Sequence, residues 1–66
     1  MNITINGKVT TARDGITVND LLAERSLDKN HVVVEVNENI VPREDFGSRR
    51  LCGNDVVEIL RFVGGG

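Results

Sequence analysis

Tryptophan and tyrosine are absent from this 66-residue chain, and Phe46 and Phe62 are its only aromatics. Base-stacking platforms for single-stranded nucleic acid rest on such rings, so none is expected. Bases are outnumbered by acids, eight to ten, for a formal net charge of −2. Nucleic-acid binding wants a basic stripe, and this balance gives it no support. The one cysteine, Cys52, cannot close an internal disulfide. A lone thiol suits a reducing compartment, so a cytoplasmic location is expected. His31 and Cys52 are the only strong soft ligands, no zinc spacing exists, and no metal is expected. The apolar runs are far too short to span a membrane. "MNITINGKVT" lacks the apolar block of a signal peptide. No GxxxxGK[ST] phosphate loop is present. Any ATP used in this protein's work is therefore expected on another protein.

What the chain does contain is short alternating segments. Sixty-six residues make one small domain, 1–66. A domain of this size buries only about 60% of its unfolded surface, which leaves little room for a deep catalytic pocket. "MNITI" sets Met1, Ile3 and Ile5 on one face, the period of a half-buried strand. Asn6-Gly7 signals a hairpin, with "KVTTA" as the return strand. A strict two-residue loop would put Thr4 opposite Val9 and split the apolar sets between faces. A bulged or longer turn, with Val9 opposite Ile5, would keep them together and is expected.

Asp14-Gly15 reads as a turn. Thr17 is a good N-cap, Asp20 follows three residues later, and Ile16 and Leu21 occupy the two positions of a hydrophobic staple. The helix they open is short, with Val18, Leu21, Leu22 and the stem of Arg25 on one face. "HVVVEVN" is the clearest strand. Val32, Val34 and Val36 share the core face, and Val33 with Glu35 faces the opposite way, toward partners. A turn at 37–39 leads to a brief strand at Ile40-Val41. Pro42 opens a helical turn anchored by Phe46, Leu51 is a core candidate, and Gly53-Asn54-Asp55 is a turn. "VVEILRFV" is the last strand, with Val57 and Ile59 inward and Glu58 outward.

Little here looks catalytic. Glu44 and Asp45 are adjacent and point to different sides of their turn. Asp55 and Glu58 straddle a strand start. None sits in an evident apolar pocket that would raise a carboxyl pKa for acid–base work. A solvated acidic face is the better reading, and it could rim a basic partner. His31 has no Ser or Cys neighbour to activate and reads as a strand-edge residue. Cys52, near Arg49 and Arg50, reads as a small, semi-buried hydrophobe.

The remaining feature is the run "EILRFVGGG". A carboxylate is a poor electrophile until it becomes an acyl-adenylate. Glycine has no Cβ, so an enzyme clamp can approach such a segment closely. A strand that feeds Gly64, Gly65 and Gly66 with no polar spacer would aim them. A slack tail or a cloning scar would have the same letters.

The chain resembles the small sulfur carrier proteins of thiamine biosynthesis, the ThiS family. The likeness runs from "TVNDLL" through "VVVEVNENIVPREDF" to "LCGNDVVEILRFVGGG". The family often has Gly-Asp before the last strand. Here Asn54 precedes Asp55, and asparagine tolerates the left-handed conformation well enough to keep the turn.

The resemblance implies an α+β, ubiquitin-like β-grasp fold: a mixed sheet of four to five strands on one short helix, with a flexible tail at about 62–66. It implies that a ubiquitin-activating-type adenylyltransferase spends ATP on the Gly66 carboxylate. Sulfur, ultimately from a persulfide donor, then makes a thiocarboxylate, and thiazole synthase takes up that sulfur. Phe62, Val63, Gly64, Gly65, Gly66 and Val33 are then the partner-binding residues. On this reading the chain is a co-substrate, not an enzyme, and binds no cofactor itself. Two alternatives stand beside it. The same tail chemistry could serve molybdopterin or protein conjugation, or the domain could be a plain β-grasp interaction module.

Overall fold

Two-residue turns organise the sheet. In the computed structural model, which describes residues 1–63, Asn6 and Gly7 both take positive φ, 49° and 82°. That pair is the signature of a type I′ hairpin turn, whose twist matches its strands. It joins β1 (Asn2–Ile5) to β2 (Lys8–Thr11) in strict register, Ile5 opposite Lys8 and Thr4 opposite Val9. The expected bulge is therefore absent. The turn chemistry of Asn-Gly outweighs the burial of one valine, and Val9 is left 68% exposed. A second turn of the same kind, at Asn37 (φ 52°) and Glu38 (φ 71°), joins β3 (Val32–Val36) to β4 (Asn39–Ile40). The brief strand thus starts one residue earlier than expected, and Val41 leaves it for the core.

β5 (Val56–Arg61) lies in the middle of the five-stranded sheet, whose order is β2-β1-β5-β3-β4. It runs parallel to β1, with Thr4 opposite Val56 and Ile5 opposite Val57. It runs antiparallel to β3, from Val36 opposite Val57 to Val32 opposite Arg61. The first and last strands are thus central neighbours. The mixed sheet packed on one helix is the β-grasp arrangement.

The helix α1 (Val18–Glu24) starts as its sequence dictates. Thr17 Oγ1 accepts from the Asp20 N–H at 3.1 Å, and Asp20 Oδ2 accepts from the Thr17 N–H at 3.1 Å. This reciprocal capping box satisfies two of the free donors of the first turn. These hydrogen bonds to Thr17, with Arg13 and Arg50 nearby, hold the Asp20 carboxyl below the usual carboxylate range. Arg13 pairs with both Asp20 (3.2 Å) and Glu24 (2.6 Å). Ile16, Val18, Leu21 and Leu22 are buried, while Arg25 caps the helix and stays exposed.

The segment after β4 straps the helix to the sheet. Its 3-10 turn, Arg43–Asp45, follows Pro42 and ends on the buried Phe46. Backbone bonds from Asn19 N to Phe46 O, Val18 N to Arg49 O and Leu51 N to Ile16 O close the layer. The core is one cluster. Ile3, Ile5, Val32, Val34, Val36, Val57 and Ile59 come from the sheet, and the helix residues, Val41, Phe46 and Leu51 cover them. Cys52 is exposed, not semi-buried. The adjacent Leu51 takes the core position, and Cys52 instead begins a turn whose N–H donates to Asp55 Oδ2 at 2.8 Å.

Candidate functional site

Alternation along a strand sends every second side chain away from the core. On β3 and β5 those outward residues meet in register: Val33 faces Leu60, and Glu35 faces Glu58. β4 adds Ile40 beside Glu35, and β1 and β2 add Thr4 beside Val9 and Val56. No helix among the described residues covers this side. Leu60 is 57% exposed and Ile40 66%, and Val56 is exposed as well. Val33 and Glu35 are half-buried. The result is an apolar sheet face with two carboxylates at its centre, continuous from β2 to β4. Exposed apolar residues gathered on one face mark an interaction surface. The sequence indicated Val33 and Glu35 for it. It missed Ile40, Val56 and Leu60. The period-two pattern of "VVEILRF" from Val56 through Glu58, Leu60 and Phe62 carried that signal.

The run toward the glycines leaves from the same place. β5 is held on both sides as far as Ile59. Asn6 Oδ1 accepts from the Ile59 N–H at 2.8 Å, and Asn6 Nδ2 donates to the Ile59 carbonyl at 3.2 Å. Asn37 does the like at the other end, its Oδ1 accepting from the Val56 N–H at 2.9 Å. Beyond Arg61 the ladder gives one more bond, Phe62 N–H to the His31 carbonyl at 3.0 Å. The Phe62 ring stands edge-on to the His31 ring, with centroids 6.3 Å apart. His31 Nδ1 in turn lies 3.4 Å from Asp28 Oδ2. Val63 is 97% exposed. Of the residues proposed for partner binding, Val33, Phe62 and Val63 thus belong to the open face and its margin. Gly64, Gly65 and Gly66 lie outside the described residues.

Nothing in the remaining geometry assembles a catalytic centre among the described residues. No group of three or more His, Cys, Asp or Glu side chains could hold a metal ion there. His31 and Cys52 are not brought together by any contact. Asp55 is committed to structure, accepting from Asn37 Nδ2 at 3.0 Å and from the Cys52 N–H. No helix among the described residues is long and apolar enough to cross a membrane.

Comparison with known proteins agrees with this arrangement. The ThiS family model matches residues 3–66. The sulfur carrier protein ThiS of Bacillus subtilis (strain 168) is 44% identical over 63 residues, covering 94% of this chain and 96% of that one. The crystal structure of a thiamine biosynthesis protein (ThiS) from Geobacter metallireducens superposes with a TM-score of 0.84 at 36% identity, each chain covered in full. A thiazole synthase of Paramagnetospirillum magneticum (strain ATCC 700264 / AMB-1) is 36% identical over all 66 residues, which make up 20% of its own length. The chain belongs to the ThiS family, the sulfur carriers of thiamine biosynthesis.

Proposed function

We propose that this protein carries sulfur on the carboxyl group of Gly66 and delivers it to thiazole synthase. It is a co-substrate in this work, and partner enzymes do the chemistry. An adenylating enzyme of the ubiquitin-activating type binds ATP, and a Gly66 carboxylate oxygen attacks the α-phosphorus with loss of pyrophosphate. The acyl-adenylate that results is an electrophile, which the free carboxylate is not. The outer sulfur of a cysteine persulfide displaces AMP to give an acyl disulfide. A thiol then reduces that S–S bond, freeing the thiocarboxylate and leaving a disulfide between the donor cysteine and the thiol. Thiazole synthase then draws on that sulfur. The cytoplasm, where a lone thiol such as Cys52 stays reduced, is the compartment this reading implies.

The observation that supports it most is the placing of β5. A central strand, paired on both sides and clamped by Asn6, projects Phe62 and Val63 beyond the sheet. The last backbone bond of the described strand is the one from Phe62 N–H to the His31 carbonyl. Phe62, Val63, Gly64 and Gly65 form the stem that an adenylating enzyme encloses, and the open sheet face around Val33 supports the docked body. Partnership with thiazole synthase is further supported by the synthases of Paramagnetospirillum magneticum and Magnetococcus marinus (strain ATCC BAA-1437 / JCM 17883 / MC-1). Each contains a segment matching all of this chain.

Intact-mass measurement tests the proposal. After incubation with the adenylating enzyme, ATP and a sulfur source, the expected product has one oxygen replaced by sulfur. A ladder of conjugates would instead identify a protein modifier. An unchanged mass would leave a plain interaction domain.

A further inference from the structure

Glu35 and Glu58 face each other across the β3–β5 ladder. Directly opposed side chains in such a pair have Cβ atoms about 4.5–5.5 Å apart, and like charges there destabilise a sheet. Both side chains are half-buried. Among the described residues neither forms an ion pair: the four salt bridges involve Asp14, Asp20, Glu24 and Asp28 as acids. Around the two carboxylates stand Val33, Ile40, Val56 and Leu60, with Asn37 and Glu38 bordering the same hollow. Two negative charges are thus set without a counter-ion at the centre of an exposed apolar face.

We propose that this face docks a partner surface that inserts one arginine between Glu35 and Glu58, with apolar side chains around it. The inference rests on the sulfur-carrier reading and names thiazole synthase as that partner. Charge complementarity selects the occupant. A guanidinium carries five N–H donors in a planar fork and can bridge two carboxylates, which a lysine ammonium matches poorly. It is also weakly hydrated, so an apolar surround costs it less than it costs an ammonium. A second copy of this chain would bring Glu against Glu. A bare metal ion fits poorly: Glu38 borders the same hollow, but no group of three His, Cys, Asp or Glu side chains that could hold a metal exists among the described residues.

The test compares the wild-type chain with the double variant Glu35→Gln/Glu58→Gln. Thiazole synthase from the same source is the probe, with titration calorimetry at low salt and at 0.5 M salt. Removing the repulsion is expected to raise the melting temperature by about 1–8 °C. It is expected to weaken binding to the synthase about tenfold or more, and salt should weaken the wild type more than the variant. Equal affinity of the two chains for the synthase would overturn the inference and leave the sulfur-carrier reading intact. No binding by the wild type would overturn both the inference and the synthase partnership, while the mass measurement would still decide sulfur loading. A rise in the wild-type melting temperature with calcium or magnesium, lost in the variant, would assign the pair to a cation and overturn the inference. Wild-type self-association that the variant lacks would do the same in favour of a second copy.

Discussion

Asn6 completes the pairing of Ile59 with its side chain. Its carboxamide donates to the Ile59 carbonyl and accepts from the Ile59 N–H, across 53 residues of sequence. The backbone ladder between β1 and β5 ends at Ile5 and Val57, with one further bond from Asn6 N–H to the Val57 carbonyl. The amide side chain extends that ladder by two residues, toward the stem of the tail. One residue thereby serves two ends. Its positive φ turns the first hairpin, and its side chain fixes the last strand.

Asn6→Gly separates those roles. Glycine keeps the positive φ at no steric cost but removes both side-chain hydrogen bonds. The N–H and carbonyl of Ile59 are then left without their partners. We expect a loss of about 1–3 kcal/mol in urea unfolding, and faster amide exchange at Ile59. Unchanged stability and exchange would mean that water replaces the clamp without cost.

Asp20 makes the helix start sensitive to pH. Its carboxyl is held below the usual range, first by its hydrogen bonds to Thr17 and then by Arg13 and Arg50. A group whose folded-state pKa is depressed stabilises the fold above its unfolded pKa, and that stability is lost as pH falls through the folded value. Asp20→Asn is therefore expected to melt below the wild type at pH 7. The gap should narrow as the pH drops below about 4, the unfolded aspartate value. Melting curves from pH 7 to pH 2 check it. A gap that stays constant with pH would assign the effect to geometry alone.

Neighbouring valines on β3 should behave differently. Val34 is fully buried, and Val33 lies half-buried on the open face. Val34→Ala removes methyl groups from the close-packed core and is expected to cost about 1–3 kcal/mol. Val33→Ala should cost less stability and more partner affinity. Chemical denaturation paired with a binding titration separates the two, and equal stability losses would contradict the two-sided sheet.

These contrasts were largely legible in the sequence because they are local. The alternation in "HVVVEV" fixes which valines face the core. Thr17 and Asp20, three residues apart, announce the helix start. The Asn54 turn keeps its left-handed backbone, φ 70°. What stayed hidden depends on pairing between distant segments. No local rule brings Glu35 opposite Glu58, or the Asn6 amide to Ile59, since each requires knowing that β5 lies between β1 and β3. The Val9 register failed for a different reason. Burial and turn chemistry made opposite demands on four residues, and the Asn-Gly turn prevailed. Cys52 failed as a half-buried hydrophobe because the adjacent Leu51 already fills the core position.

Gly65 offers the sharpest separation of folding from function. Among the described residues the buried cluster runs from Ile3 to Ile59, and Phe62 and Val63 stay outside it. A substitution at Gly65 should therefore leave the melting temperature unchanged. Enclosure of the stem by an adenylating enzyme is another matter. Valine adds a β-branched side chain, stiff about χ1, where the proposed clamp must approach the backbone closely. Gly65→Val is expected to depress ATP–pyrophosphate exchange with that enzyme severely, by about a hundredfold or more, the order of loss that a small misplacement of reacting groups produces. Gly65→Ala, with one added methyl, should fall between. The exchange assay, run beside a thermal melt, reads both quantities. Exchange at the wild-type rate with Gly65→Val would show that the segment is not gripped. The carboxyl-activation proposal would then fail, while the fold and its family membership would stand.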